Sequence, residues 1–444
     1  MNDLPVSGVF RAALVVIVAL FVAGAATAQD VVIGGEVDLR TGLHGDLFAR
    51  AAPATEASAT LRPILSVLSD TTELRAQFSI GLSYPSEQIT AKADEIQLTI
   101  YPSDTVVLHA GLLTATAGGA LLFSPVNYLG GLDFAGLGAL TPTLDAPQAA
   151  LDATLFAGDL YVSLGLVPVP VKRSVLSALP SDVDLPFLFT VDEPAIPGSP
   201  RSRATTSVDD PQWLSDLARV SAVVESGWAG ATSDVSLFLT YGVDRIPTLV
   251  GLVDTSAGAG LFDLRLRQDE STVFAAGASV QSVFGPVMTW VDASFALNRL
   301  IGTTTIGPAE VQPGVWSTEV VQAPELDLVA GAAVQLNDLW TTIACEYRHG
   351  FVFSDRTDLI RLDFPGTLLG SVEVGFLEGA LNAGVTAVAL IPDRSGFLSI
   401  DLNYAPSAEV EFGLQAPIVL AADGSLLSAF RSDSGASLYL AIRF

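Results

Sequence analysis

Apolar residues recur at every second position through much of the chain, in short segments broken by turns. Between Leu74 and Ser83, the side chains of Leu74, Ala76, Phe78, Ile80 and Leu82 fall on one face, and Arg75, Gln77, Ser79, Gly81 and Ser83 on the other. A period of two predicts a β-strand with one apolar side. Ile96, Leu98 and Ile100 lead to Pro102-Ser103-Asp104 and then to Val106, Leu108, Ala110 and Leu112, which predicts a hairpin with a tight turn. Val235 to Tyr241, Phe262 to Leu266, Leu326 to Val334 and Ile343 to Tyr347 repeat the alternation, with charges on the face opposite the apolar one.

The connections come in two lengths. Short turns are read at Pro102–Asp104, Gly158–Asp159 and Ala405–Ser407, and long polar or Pro-rich stretches at Ala115–Gln148 and Lys172–Pro211. Short turns at one end and long loops at the other are the asymmetry of a transmembrane β-barrel, with periplasmic turns and outer loops. About 18 or 19 segments qualify as strands, whereas bacterial barrels hold an even number. Counting from the two ends, the alternation of turn and loop fails to meet between Ala229 and Gly285, so the expectation is roughly 16 to 18 strands. The expected fold is all-β, a single closed antiparallel transmembrane barrel over residues 29–444.

Composition supports lipid contact. Half of the 444 residues are hydrophobic and 16% are charged, with a mean hydropathy of +0.49, high for a chain solvated on all sides. Beyond the first thirty residues no apolar run reaches the roughly 18 residues that a spanning helix needs. A closed barrel is the other way to pair every backbone group in lipid. At the start, Arg11 precedes the apolar run Ala12–Ala26, and Ala26-Thr27-Ala28 is a small-x-small site. Residues 1–28 are therefore expected to be a signal peptide cut before Gln29, which implies export across an inner membrane.

The last residues alternate again, with Leu438, Leu440, Ile442 and Phe444 on one face and Tyr439, Ala441 and Arg443 on the other. This ending resembles the assembly signal of bacterial outer-membrane proteins, an amphipathic last strand closed by an aromatic residue. The resemblance implies an outer-membrane location and recognition by the barrel-assembly machinery. A second stretch, Glu95–Tyr101, a turn, Val106–Gly111 and Leu122-Phe123-Ser124-Pro125-Val126-Asn127-Tyr128, is similar to a porin-type segment in which a strand ends in Ala-Gly and runs to Ser-Pro-x-Asn-Tyr. Ala117-Gly118-Gly119 stands where such segments carry Trp-Gly. The likeness implies a porin-like channel passing small solutes and names no particular one.

The net charge of −27 repels phosphate backbones and argues against nucleic acid as a partner. The acidic excess either sits on outer loops or biases a pore toward cations. Cys345 is the single cysteine, which excludes an internal disulfide. His44, His109 and His349 stand in no nucleophile or metalloprotease motif, and Asp133, Asp145 and Asp152 lack ligand spacing, so no catalytic, cofactor or metal site is expected. The candidate pore-lining residues are the charges predicted on inner faces: Asp263, Arg265, Arg267, Glu346, Arg348, Glu373, Asp401, Glu409 and Glu411. The loop Ala115–Gln148 either folds inward as a constriction or packs its apolar middle on the rim. Ala- and Gly-rich strand faces suit either subunit contacts in a homo-oligomer or tight turns. Two other functions stay open: a non-conducting surface barrel acting through its outer loops as an adhesin or structural protein, and a lipid hydrolase, which would need His109 or His349 beside a serine on the lipid-facing rim.

Overall fold

A computed structural model describes the chain from Asp30 to Phe444 except residues 46–53, 114–117, 122–123, 128–130, 133–144, 147, 169–189, 192–198, 201–204, 207–219, 245, 247, 255–260, 270, 313–314, 337–339, 361–365, 392 and 423–425. The expected signal peptide, residues 1–28, lies outside the described residues. Eighteen wall strands follow one another in chain order. They are β1 Asp30–His44, β2 Ala54–Leu68, β3 Thr72–Tyr84, β4 Gln88–Ser103, β5 Val106–Leu113, β6 Gln148–Ala157, β7 Leu160–Val167, β8 Ser221–Ala229 and β9 Ser233–Val243. The ring continues with β10 Thr272–Phe284, β11 Val287–Gln312, β12 Val315–Leu336, β13 Thr341–Val352, β14 Thr367–Phe376, β15 Leu381–Leu390, β16 Ser395–Tyr404, β17 Val410–Leu420 and β18 Gly435–Arg443. Each pairs antiparallel with the next, and β18 returns to β1 from Glu36↔Arg443 to His44↔Gly435. The barrel is closed, as the alternation predicts.

The outward face is apolar and open, with Ile80, Leu82, Leu155, Leu164, Leu237, Leu239, Val291, Val372 and Leu438 all exposed. In water such a surface is unfavourable at every exposed methyl group; in lipid it is the required lining. Aromatic side chains sort to the two rims. Beside the short turns stand Tyr101, Phe156, Trp228, Phe284, Trp340, Phe376, Tyr404, Phe412 and Phe444, and at the loop end Tyr84, Tyr241, Phe274, Tyr347 and Phe351, all exposed. Amphipathic rings prefer the membrane–water boundary. On β10, Phe274 and Phe284 share the outward face ten residues apart. At about 3.4 Å per residue and a tilt near 40° that separation is about 26 Å, matching the apolar band of an outer-membrane barrel. The ring is a transmembrane barrel.

The region where the strand count failed holds an insertion. Between β9 and β10, Thr248–Asp254 and Leu261–Asp269 form a hairpin that is not part of the ring, since Val243 pairs directly with Thr272. β11 and β12, at 26 and 22 residues, run past the rim. The hairpin lies along this projection through Leu252↔Ser317, Val253↔Trp316 and Asp254↔Val315. Leu249, Val250 and Val253 are buried there, so protein rather than lipid covers their apolar face. Asp244, at the base of the insertion, accepts from Arg299 Nε and Nη2 at 2.8 and 3.1 Å, while Arg299 Nη1 donates to Glu325 at 2.7 Å. Two alternating segments therefore look like wall strands in sequence but are not, and the ring itself holds 18.

Candidate functional site: the lumen and its loop

The connection from β5 to β6 enters the barrel. Its described residues Gly118–Leu121 and Ser124–Asn127 touch inward-facing side chains of β10, β11 and β13. β13 stands eight strands from β5, where nine is the far side of an 18-strand ring, so the loop crosses the lumen. Two buried carboxylates hold it. Asp292 on β11 accepts from the backbone N–H of Gly119 at 3.0 and 3.2 Å, of Ala120 at 3.1 Å, from Ser124 Oγ at 2.9 Å and from Ser279 Oγ at 2.6 Å. Glu346 on β13 accepts at one oxygen from Leu121 N–H (2.6 Å) and Trp290 Nε1 (2.8 Å). Asp292 is 0% exposed and Glu346 3%. Burying a carboxylate is tolerated when several donors meet it, as they do here.

Local sequence explains how the backbone comes this close. Gly118 has φ +82°, and a Cβ there would lie 2.3 Å from both Asp292 Oδ2 and Ser124 Oγ. Only glycine permits both the conformation and the approach. The Gly118-Gly119 pair that replaces Trp-Gly in the porin-like motif is thus the contact with the far wall, and an aromatic ring reaches the same place from β11 as Trp290. Val126 is fully buried with Val223, Phe238, Val273, Ala275 and Ala296 on the inner wall. Of the two expectations for this loop the inward fold is the one observed, and Leu121, from the apolar middle expected at the rim, is exposed. Leu122 and Phe123 lie outside the described residues. Asp292 sits five residues past Val287, where β11 leaves the turn at Gly285-Pro286, about 17 Å along its strand and near mid-wall.

Elsewhere the inner wall is unevenly charged. β6 to β10 contain no Lys or Arg. Their carboxylates take hydroxyl donors instead: Asp152 accepts from Ser163 Oγ (2.5 Å) and Thr154 Oγ1 (3.1 Å), and Glu225 from Tyr161 OH (2.5 Å). Arginines gather where the ring closes. Arg40 donates through Nε and Nη2 to Asp38 at 2.9–3.1 Å. Arg62 donates to Glu36 at 2.6 Å. Arg443 bridges Glu36 (3.2 Å) and Glu411 (2.7 Å). With Asp401, Asn403, Gln415 and Tyr439 these groups line one polar recess on the lumen side of β1, β2, β16, β17 and β18.

The candidate pore-lining residues fall into three groups. Glu346, Arg348, Glu373, Asp401 and Glu411 share the inward register, and Arg348 forms a buried pair with Asp327. Glu409 lies in the turn before β17, where its N–H donates to Ser407 Oγ and its carbonyl accepts from Arg443 N–H. Asp263, Arg265 and Arg267 lie on the inserted hairpin, outside the ring; Arg267 pairs with Asp269 at 2.8 Å. Sequence reasoning missed Asp292, Trp290 and the group Glu36, Asp38, Arg40 and Arg62. The latter was legible, because Glu36-Val37-Asp38-Leu39-Arg40 alternates as regularly as any other strand. The role of Asp292 was not, since its loop partners lie 168 to 173 residues away.

The histidines have no serine partner among the described residues. His109 Nδ1 meets Gln97 Nε2 (2.9 Å) and Thr99 Oγ1 (3.0 Å) on the inner wall. His349 stacks between Tyr347 and Phe351 on the outer face, its Nδ1 3.0 Å from the Tyr347 hydroxyl. The assembly residues Leu438, Ile442 and Phe444 are exposed outward, and Phe444 exchanges both backbone hydrogen bonds with Gly35.

No family model matches the sequence, and no curated protein matches it. Among solved structures, the chain is similar to OmpF of Salmonella typhi in complex with daunomycin, at 8% identity over 94% of this chain and 99% of that one, with a TM-score of 0.43. It is also similar to OccAB1 of Acinetobacter baumannii (9%, 94% and 97%, TM-score 0.48) and to OpdQ of Pseudomonas aeruginosa (9%, 94% and 98%, TM-score 0.49). At these values the closed strand ladder of the chain itself carries the fold.

Proposed function

We propose that the protein is an outer-membrane channel through which small hydrophilic solutes diffuse passively, with cations favoured. The observation that carries this reading is the loop drawn across a polar lumen and fixed at mid-wall by Asp292 and Glu346. A charged, hydroxyl-rich wall narrowed at one level supports a water-filled path with a size limit. Cation preference is supported by the arc β6 to β10, where carboxylates stand with no Lys or Arg on their strands. Residues 1–28 act as the cleaved export signal in this reading, and the last strand as the mark recognised during assembly. A second reading, a surface barrel acting through its outer loops, draws on the projecting β11–β12 pair and the hairpin docked on it. The test is single-channel conductance of refolded protein in a planar bilayer under a salt gradient. Discrete open steps with a reversal potential on the cation side are expected. A folded, heat-modifiable barrel that never conducts overturns the channel reading in favour of the outer loops.

A further inference from the structure

The recess at the closing seam offers both signs of charge, and two of its members have capacity left. Arg40 and Arg62 meet at one oxygen of Asp38: Arg40 Nη2 lies 2.9 Å and Arg62 Nη1 3.8 Å from Oδ2. Asp38 is buried and holds Arg40, while Glu36 accepts from Arg62 Nη1 at 2.6 Å. Arg62 uses Nη1 alone; its Nε and Nη2 have no protein partner among the described residues. On the other side, Asp401 accepts from Ser399 Oγ at 2.9 Å and has no basic partner among the described residues. Gln415 lies opposite Asp401 on the β16–β17 ladder, and its Oε1 is 3.5 Å from Arg40 Nη1.

We infer that this recess is a binding subsite for small zwitterions, amino acids or short peptides, with the solute carboxylate on Arg62 and Arg40 and its ammonium on Asp401. A guanidinium edge and a carboxylate that line one recess match a ligand carrying both charges better than an ion carrying one. This assignment rests on the channel reading for its biological meaning but is tested apart from it.

The experiment is calorimetric titration of the refolded, heat-modifiable full-length barrel in detergent with three probes that each carry one amide and differ in their end charges. These are glycylglycine (both charges), N-acetylglycine (anion) and glycinamide (cation). Glycylglycine is expected to bind about tenfold tighter than either single-charge probe, the increment of one charge-assisted contact. Asp401→Asn should remove its advantage over N-acetylglycine, and Arg62→Gln its advantage over glycinamide. Arg62 is chosen over Arg40 because losing Arg40 would strand the buried Asp38. Equal binding of the three probes, no binding of glycylglycine, or wild-type preference in both variants would overturn the inference. Current block by glycylglycine in bilayers separates the two claims: binding without conductance removes the channel and keeps the subsite, whereas conductance without binding does the reverse.

Discussion

The two sides of the lumen use the same residue types differently. On the loop side, the carboxylates of Asp292 and Glu346 are buried and meet backbone N–H groups, hydroxyls and an indole. On the seam side, Glu36 and Glu411 meet arginines whose side chains are a third to a half exposed. A carboxylate sealed against its own backbone acts as a fastening, because exchanging its partners for water would leave donors buried and unpaired. A carboxylate paired with a solvated arginine can trade that partner for a passing ion, since exposed pairs are worth about 1 kcal/mol or less. The first side fixes the loop in place, and the second keeps charged pairs within reach of water.

The strongest break in that contrast is Asp292→Ala. It orphans two backbone N–H groups and two hydroxyls, at about 1–3 kcal/mol for each group left buried. The expected outcome is a freed loop, a larger single-channel conductance and a lower midpoint in heat-modifiability assays; unchanged conductance would mean the loop does not set the constriction. Gly118→Val tests the same fastening from the loop side, with strain of about 1–3 kcal/mol at its positive φ plus overlap with Asp292, and should shift conductance in the same direction by less. Arg62→Gln, on the seam side, should leave conductance and thermal stability near wild type while moving the reversal potential further toward cations. A variant that alters stability as much as Asp292→Ala would erase the distinction between the two sides.

Two smaller effects sharpen the frame in which the contrast is set. Cys345 is exposed on the outward register of β13, between Ile343 and Tyr347. It should react with a lipid-soluble maleimide and resist a membrane-impermeant one in intact liposomes. In the outer connection after β13, hydrogen bonds from Arg356 hold the Asp358 carboxyl down at about 2, against an ordinary 3.8. Because the folded value is depressed, this contribution is present above pH 3.8 and fades as pH falls toward 2. Carbonyl NMR of the refolded protein should read that low titration, and Arg356→Gln should return it toward 3.8.

Sequence alternation was enough for the closed barrel, because the period of two survives wherever one face differs from the other in polarity. It could not say which medium covers the apolar face. Phe262, Leu264 and Leu266 alternate like Leu237 and Leu239, yet they belong to a hairpin docked on protein outside the ring. The same blindness placed Asp263, Arg265 and Arg267 among wall residues. Inward charges within single strands, such as Glu346 and Asp401, were readable from parity alone. The fastening was not, since it joins Gly119 and Asp292 by tertiary contact and depends on backbone donors that any residue but proline carries.

The seam between β1 and β18 has a consequence for how the molecule comes into being. Phe444 hands its N–H and carbonyl to Gly35, so the first and last wall strands are neighbours like any other pair. Deleting β18 would not yield a smaller tube; it would leave two bare strand edges and half of the Arg443–Glu36 contact, a species suited to pairing with other chains. The nine residues of β18 are therefore what turns the wall from a sheet with two edges into a ring with none.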